Sequence, residues 1–159
     1  MGANPEPRLL VDSTAGRLAR WLRLLGFDAE YAGVVGESAL ARLARQSGRM
    51  IVTRNRRLAE RLGEQAIHLA SQRLPDQLRQ VVGGTHGPPP VAFSRCNVCN
   101  ARLVEIPKES LAGRVPAYVY SHHDKFSACP VCGRYYWQGT HYRHMLGEIK
   151  SVLEVKRNG

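Results

Sequence analysis

Four cysteines in two Cys-x-x-Cys steps constrain this chain more than any other feature. They are Cys96-Asn97-Val98-Cys99 and Cys129-Pro130-Val131-Cys132, the only cysteines present, with 29 residues between the steps. Two residues between thiols let both sulfurs of a tight turn face one point. Two such turns complete a tetrahedral four-thiolate shell, the closed geometry of structural zinc. Gly133, directly after the second step, suits a turn that needs a positive φ. The gap is longer than the common ribbon spacing, so the segment between the steps is expected to fold back as a hairpin-like insert. Two disulfides are the other use of the same thiols. The N-terminus MGANPEPR carries no apolar secretory run, so reduced thiols and a cytoplasmic location are expected. Four thiolates leave no open coordination position, so the metal is expected to hold the module together rather than catalyse.

Ahead of this module, apolar runs and helical spacings alternate about every 20 residues. RLLV at 8–11 ends at Asp12, and Thr14 is placed to cap a helix. Leu18, Trp21, Leu22 and Leu25 then recur at helical spacing, and Gly26 stops that helix. Strands are expected at 28–32, 50–53 and 66–70. Helices are expected at 38–46, with Leu40, Leu43 and Ala44 inward, and at 55–62 and 74–82. Such alternation predicts a parallel sheet with helices on both faces, whose active crevice lies beyond the carboxyl ends of the strands. Asp12 and Thr53-Arg54-Asn55 occupy those ends. No Gly-x-Gly-x-x-Gly follows the first strand, which argues against a dinucleotide site. A domain over 1–86, a linker over 87–92 within the Gly- and Pro-rich stretch, and a zinc ribbon with a C-terminal helix over 93–159 complete the expected organisation.

The chain of 159 residues has 23 Lys and Arg against 13 Asp and Glu, a net charge of +10. The excess is shared: 13 basic against 8 acidic residues up to position 90, and 10 against 5 after it. Arginine dominates and is the better bidentate partner for phosphate, so nucleic acid is the natural polyanion. No stretch is long enough to span a membrane.

Three carboxylates are placed for chemistry in the crevice: Asp12 after the first strand, and Glu37 and Asp76 in first helical turns. Clustered carboxylates beside a basic surface suit Mg²⁺ or Mn²⁺. Glu37 and Asp76 have an equally good use in complementing helix dipoles. Arg17, Arg20 and Arg23 step by three along the first helix, and Arg54, Arg56 and Arg57 surround the third strand's tip. The first set reads as a phosphate-contacting face or as a solvated helix face, and the second as cations that focus potential at the crevice to bind RNA. Tyr136 and His141, in the aromatic and histidine cluster around the second knuckle, are placed either to stack unpaired bases or to form the module's small core.

Leu10-Val11-Asp12-Ser13-Thr14-Ala15-Gly16-Arg17-Leu18-Ala19-Arg20-Trp21-Leu22-Arg23-Leu24-Leu25-Gly26, Ile51-Val52-Thr53-Arg54-Asn55, both cysteine steps and Tyr136-Trp137-Gln138-Gly139-Thr140-His141 resemble the Mut-seven C-terminal RNase domain family. The resemblance runs from about Arg8 to Met145. It implies an α/β, PIN-like three-layer sandwich with a central parallel sheet, followed by a four-cysteine zinc ribbon and a C-terminal helix. It further implies Mg²⁺ or Mn²⁺ dependence and endonucleolytic cleavage of RNA. Asp12 matches the first acidic metal ligand, Glu37 the acidic residue opening the second helix, and Asp76 a late acidic position. Asn55 departs from the pattern, which has Asp there.

The leading expectation is therefore a metal-dependent endoribonuclease acting on single-stranded RNA, with structural zinc and catalytic Mg²⁺ or Mn²⁺. Asp12, Glu37, Asn55 and Asp76 would form its site. Asn55 favours a second reading, a non-catalytic RNA-binding protein on a degenerate PIN-like fold, including one associated with the ribosome or another ribonucleoprotein. A protein-interaction module is a third. No membrane partner is expected, and no sequence feature specifies an oligomeric state.

Overall fold

The computed structural model of the protein describes residues 6–86 and 90–154. The short apolar runs become four strands of one parallel sheet: β1 (Arg8–Val11), β2 (Asp28–Tyr31), β3 (Met50–Thr53) and β4 (Ala66–His68), in the order β2-β1-β3-β4. Val11 pairs with Tyr31 on one side and Val52 on the other, and Thr53 pairs with His68. Four helices accompany the strands: α1 (Gly16–Leu24), α2 (Glu37–Ser47), α3 (Arg56–Leu62) and α4 (Leu74–Gly84).

Winding runs outward from β1 to β2, then reverses across β1 to reach β3. Right-handed crossovers put α1 and α2 on opposite faces as a result. Leu10 and Ile51 share one core cluster with Leu40 and Ala44 of α2 and Leu58 of α3. On the other face α1 packs on β2 and against α4. Leu9, Leu18, Leu22, Val52 and Val81 are fully buried, each worth roughly 1.5–3 kcal/mol relative to exposure. The expected inward set of α2 needs one correction. Leu40 and Ala44 are buried, but Leu43 is 43% exposed because it lies at the edge of the apolar stripe. The fourth helix runs two residues further than expected, through Gly83 and Gly84.

The chain divides into two compact units, 1–100 and 101–159. The division falls after the first cysteine knuckle rather than in the Gly- and Pro-rich stretch, of which residues 87–89 lie outside the described residues. Hydrogen bonds explain the difference. Phe93 N–H donates to the Leu24 carbonyl at 2.8 Å, and Arg95 Nε to the Gly26 carbonyl at 3.2 Å, tying residues 93–100 to the end of α1.

The second unit holds a three-stranded antiparallel sheet, β5 (Val104–Ile106), β6 (Phe126–Ala128) and β7 (Tyr135–Trp137), with α5 (Ala117–His122) between β5 and β6 and α6 (Thr140–Glu154) at the end. The insert does fold back, as expected, but carries a helical turn over Lys108–Leu111 and α5 on its way. Leu111 and Phe126 are 1% exposed, and Trp137 stands 6.4 Å from Phe126, ring centre to ring centre. No helix among the described residues is long and apolar enough to cross a membrane.

Candidate active site and metal centre

The crevice at the carboxyl ends of β1 and β3 lies where the winding reverses, the usual ligand position in a sheet of this kind. Asp12 follows β1 there and is 7% exposed. Its Oδ1 accepts from the Thr14 N–H at 3.0 Å and from the Thr14 hydroxyl, and its Oδ2 accepts from the Thr53 hydroxyl. The two hydroxyls are aimed at Asp12 because each is itself held. Thr14 Oγ1 accepts from the Arg54 N–H at 3.1 Å, and Thr53 Oγ1 from the Asn55 N–H at 2.9 Å. The turn after β3 is thereby fastened through two threonines to the carboxylate after β1. Among the described residues no basic side chain forms an ion pair with Asp12. A carboxylate offers about four lone-pair sites. Three are taken by neutral donors, and one site is left.

Asn55 and Glu37 form the other part of the crevice. Glu37 is the first residue of α2 and is exposed. Asn55 Nδ2 donates to Glu37 Oε1 at 2.9 Å, and Arg61 Nη2 to Glu37 Oε2 at 2.5 Å. Hydrogen bonds from Arg61 first and Asn55 second hold the Glu37 carboxyl below the usual carboxylate range. Asn55 also caps α3, where its Oδ1 accepts from the Leu58 N–H at 3.2 Å.

Of the predicted site residues, the structure links Asp12 to Asn55 through Thr53, and Asn55 to Glu37. Asp76 is not part of that chain. It stands in the first turn of α4, with its carboxylate taken by the Ser71 hydroxyl at 2.9 Å and Arg79 Nη1 at 2.9 Å. The three carboxylates do not close on one point. Among the described residues, the four cysteines are the only group of three or more Cys, His, Asp or Glu whose ligand atoms do so.

Arg17, Arg20, Arg54, Arg56 and Arg57 are exposed, Arg56 pairing with Glu60 at 2.9 Å. Arg23 corrects the expected stripe. It is 9% exposed and points inward, donating from Nε to the Ala29 carbonyl at 2.8 Å and from Nη1 to the carbonyls of Asn97 and Val98 at 3.2 and 3.1 Å. Burial lowers its pKa from the ordinary arginine value, against the opposing pull of Cys96 and Cys99. It supports the first knuckle from within and does not belong to the surface. His141 is exposed near the start of α6, and Tyr136 is half-buried in the middle of β7.

The four cysteine sulfurs all lie within 4.8 Å of one another. Four thiolates about 2.3 Å from one zinc ion would be separated by about 3.8 Å, so the set fits a structural metal such as zinc. The two knuckles have the same internal bonding. The Cys99 N–H donates to Cys96 Sγ at 3.3 Å and the Cys132 N–H to Cys129 Sγ at 3.4 Å. The next residue has positive φ in both, Asn100 at 67° and Gly133 at 75°, and its N–H returns to the first cysteine's carbonyl at 2.9 Å. Glycine is the ordinary choice at such a φ. Asn replaces it in the first knuckle because its side chain is used: Oδ1 accepts from the Ala29 N–H at 3.0 Å, and Nδ2 donates to Asp28 at 2.7 Å.

The family model of the Mut7-C RNAse domain matches residues 7–149, which takes in both the crevice and the four-cysteine centre. The chain belongs to the Mut7-C RNAse domain family. No curated protein and no solved structure matches it. Membership makes this a ribonuclease-type domain with RNA as its substrate or partner. The α/β arrangement expected from the sequence, a parallel sheet with helices, a four-cysteine centre and a C-terminal helix, is the one observed.

Thr14, Thr53 in its role as donor, and Arg61 are site residues that sequence reasoning missed. Thr53 stood at a strand end and was open to notice. Nothing in the spacing of Arg61, six residues past Asn55, pointed to Glu37.

Proposed function

We propose that the protein is a metal-dependent endoribonuclease that hydrolyses phosphodiester bonds of single-stranded RNA at the crevice around Asp12. One observation carries the reading: Asp12 is nearly buried at the reversal point of the sheet, yet its carboxyl is held only by neutral donors and keeps a lone-pair site for a cation. The donors there are hard oxygens, which fit Mg²⁺ or Mn²⁺. Such ions commonly take one or two protein carboxylates and complete their shell with water and substrate phosphate. Asp12 would be the protein ligand, with Glu37 and the Asn55 amide on the crevice wall. When bound, the ion supplies an activated water and neutralises charge on the phosphodiester. Arg17, Arg20 and Arg54, all exposed, bind the flanking phosphates. The exposed His141 and the neighbouring Tyr136 aid RNA binding from the ribbon.

The test is cleavage of a labelled single-stranded RNA with Mn²⁺ or Mg²⁺ by wild type and Asp12→Ala. Metal-dependent cutting that disappears in the variant is the expected result. A second reading, RNA binding without catalysis, is favoured by Asn55 and Arg61, which already satisfy Glu37. Wild type that binds RNA in a salt-sensitive way and never cuts it would establish that reading instead.

A further inference from the structure

Gly16 opens α1 with φ −57° and ψ −38°, a conformation open to every residue, so the backbone does not explain the glycine. A neighbouring ring does. A Cβ at Gly16 would lie 3.2 Å from two ring carbons of Tyr31 and 3.3 Å from its hydroxyl. The ring therefore lies directly over the backbone at the start of α1. Tyr31 ends β2 in register with Val11, the residue before Asp12, and the Ala32 N–H donates to the Val11 carbonyl at 2.9 Å. An aromatic ring thus stands one strand over from Asp12, on the same sheet edge. Gly16 backs it, yet 47% of the residue remains exposed. Val34 and Val35, in the loop that follows, are 93% and 41% exposed. Arg17 and Arg20, on the helix that Gly16 opens, are exposed as well.

Resting on the proposed nuclease reading, we propose that Tyr31 is a base-stacking platform. It takes a nucleobase of the strand that crosses beside Asp12, with Val34 and Val35 extending the apolar surface and Arg17 and Arg20 binding the backbone phosphates. Every base has a π-face, so such a platform tolerates sequence. It requires a base free of its partner, which selects single strands over duplex. A ring backed by a glycine backbone is fixed before the base arrives, so little ordering opposes binding.

The test uses the full zinc-loaded chain and a short single-stranded RNA carrying 2-aminopurine, in buffer free of Mg²⁺ and Mn²⁺. Stacking on Tyr31 should quench the fluorophore. Tyr31→Leu keeps an apolar cover over Gly16 without a π-face. It should fold, lose the quenching and bind RNA roughly 5- to 150-fold more weakly, the span found when one aromatic stacking partner is removed. Tyr31→Phe should restore both signals, and Gly16→Ala should reduce the quenching by pushing the ring aside. An RNA with an abasic site at the quenched position should bind wild type more weakly and Tyr31→Leu no differently. Equal quenching and affinity in wild type and Tyr31→Leu would overturn the proposal and assign the patch to another partner, while Asp12-dependent cleavage would still stand. Wild type that binds no RNA would overturn the platform and the nuclease reading together.

Discussion

Asp12 and Asp28 stand at opposite ends of the same four-stranded sheet, both largely buried, but their partners differ in kind. At the amino end, Asp28 accepts from Arg49 Nη1 at 2.7 Å and from the Asn100 amide at 2.7 Å, with Arg8 at 3.5 Å. Arg49 is itself buried and also donates to the Leu9 carbonyl at 3.1 Å and to Glu30 at 3.1 Å. At the carboxyl end, Asp12 has two threonines and, among the described residues, no basic side chain as a partner. A buried charge must be compensated. Where the chain supplies the compensation, the charge serves structure. Where it supplies only neutral donors, the carboxylate keeps capacity for a further partner, which is what the proposed cation site requires.

Breaking each end in turn should separate the two roles. Asp28→Ala takes the nearest carboxylate from the buried Arg49 guanidinium and leaves it the more exposed Glu30 and backbone carbonyls, and loss of one partner of such a pair costs about 3–5 kcal/mol. Asp12→Ala removes three hydrogen bonds from neutral donors, one of them a helix cap, an effect of about 1–2 kcal/mol. Chemical denaturation measures both. Equal losses would mean that Asp12 is as structural as Asp28, and the contrast between the two ends would fail.

Acid sharpens the same contrast. Burial opposes ionisation of Asp28, but the hydrogen bonds from Arg49 and Asn100 outweigh it, and its carboxyl is held below the usual carboxylate range. The folded state therefore binds that proton less readily than the unfolded chain. The stabilisation is fully present above the ordinary carboxylate pKa of about 4, and is lost as pH falls through that value toward the lower folded one. Asp28→Asn should be less stable than wild type at pH 7 and should lose less on acidification below pH 4. Parallel pH profiles for the two proteins would place the acid sensitivity elsewhere.

The amino end also carries the first knuckle, through Arg23. Arg23→Ala should release the carbonyls of Asn97 and Val98 and weaken zinc binding roughly tenfold, the lower end of what supporting hydrogen bonds around a metal contribute. Competition with a chromophoric chelator reads this directly. Arg17→Ala and Arg20→Ala should leave zinc affinity alone and weaken RNA binding. A zinc affinity unchanged in Arg23→Ala would reduce those bonds to incidental contacts.

Arg23 also shows where sequence reading runs out. The three arginines step by three, and each step turns about 60° back around the helix. Two steps carry the third residue from the exposed face to the buried one. Leu43 fails for the same geometric reason, at the margin of a stripe that Leu40 and Ala44 define. The strand MIVT, the helix bounds to within two residues and the strand-end position of Asp12 were legible because each depends on local pattern. The cysteine spacing was legible because it encodes one geometry. Partners chosen by tertiary packing were not: Arg61 for Glu37 and Asp28 for Asn100. Tyr31 read as one more residue of a strand, since only the glycine beneath its ring marks it out.

The smallest expected effects lie at Glu37, where the carboxyl end partly resembles the amino end. Arg61 and Asn55 do for Glu37 what Arg49 and Asn100 do for Asp28, but in the open, where an ion pair is screened and contributes little to stability. Arg61→Ala should leave thermal stability nearly unchanged without divalent metal and increase the stabilisation gained from Mn²⁺. Asn55→Asp should act in the same direction for a different reason. It replaces a donor to Glu37 with a second carboxylate, which repels Glu37 until a cation arrives, so the apo protein melts slightly lower and added Mn²⁺ raises it by more than it raises wild type. If neither variant gains stabilisation from Mn²⁺ over wild type, Glu37 does not face a cation site. Any metal in the crevice then depends on Asp12 alone, and the RNA-binding reading gains at the expense of the nuclease.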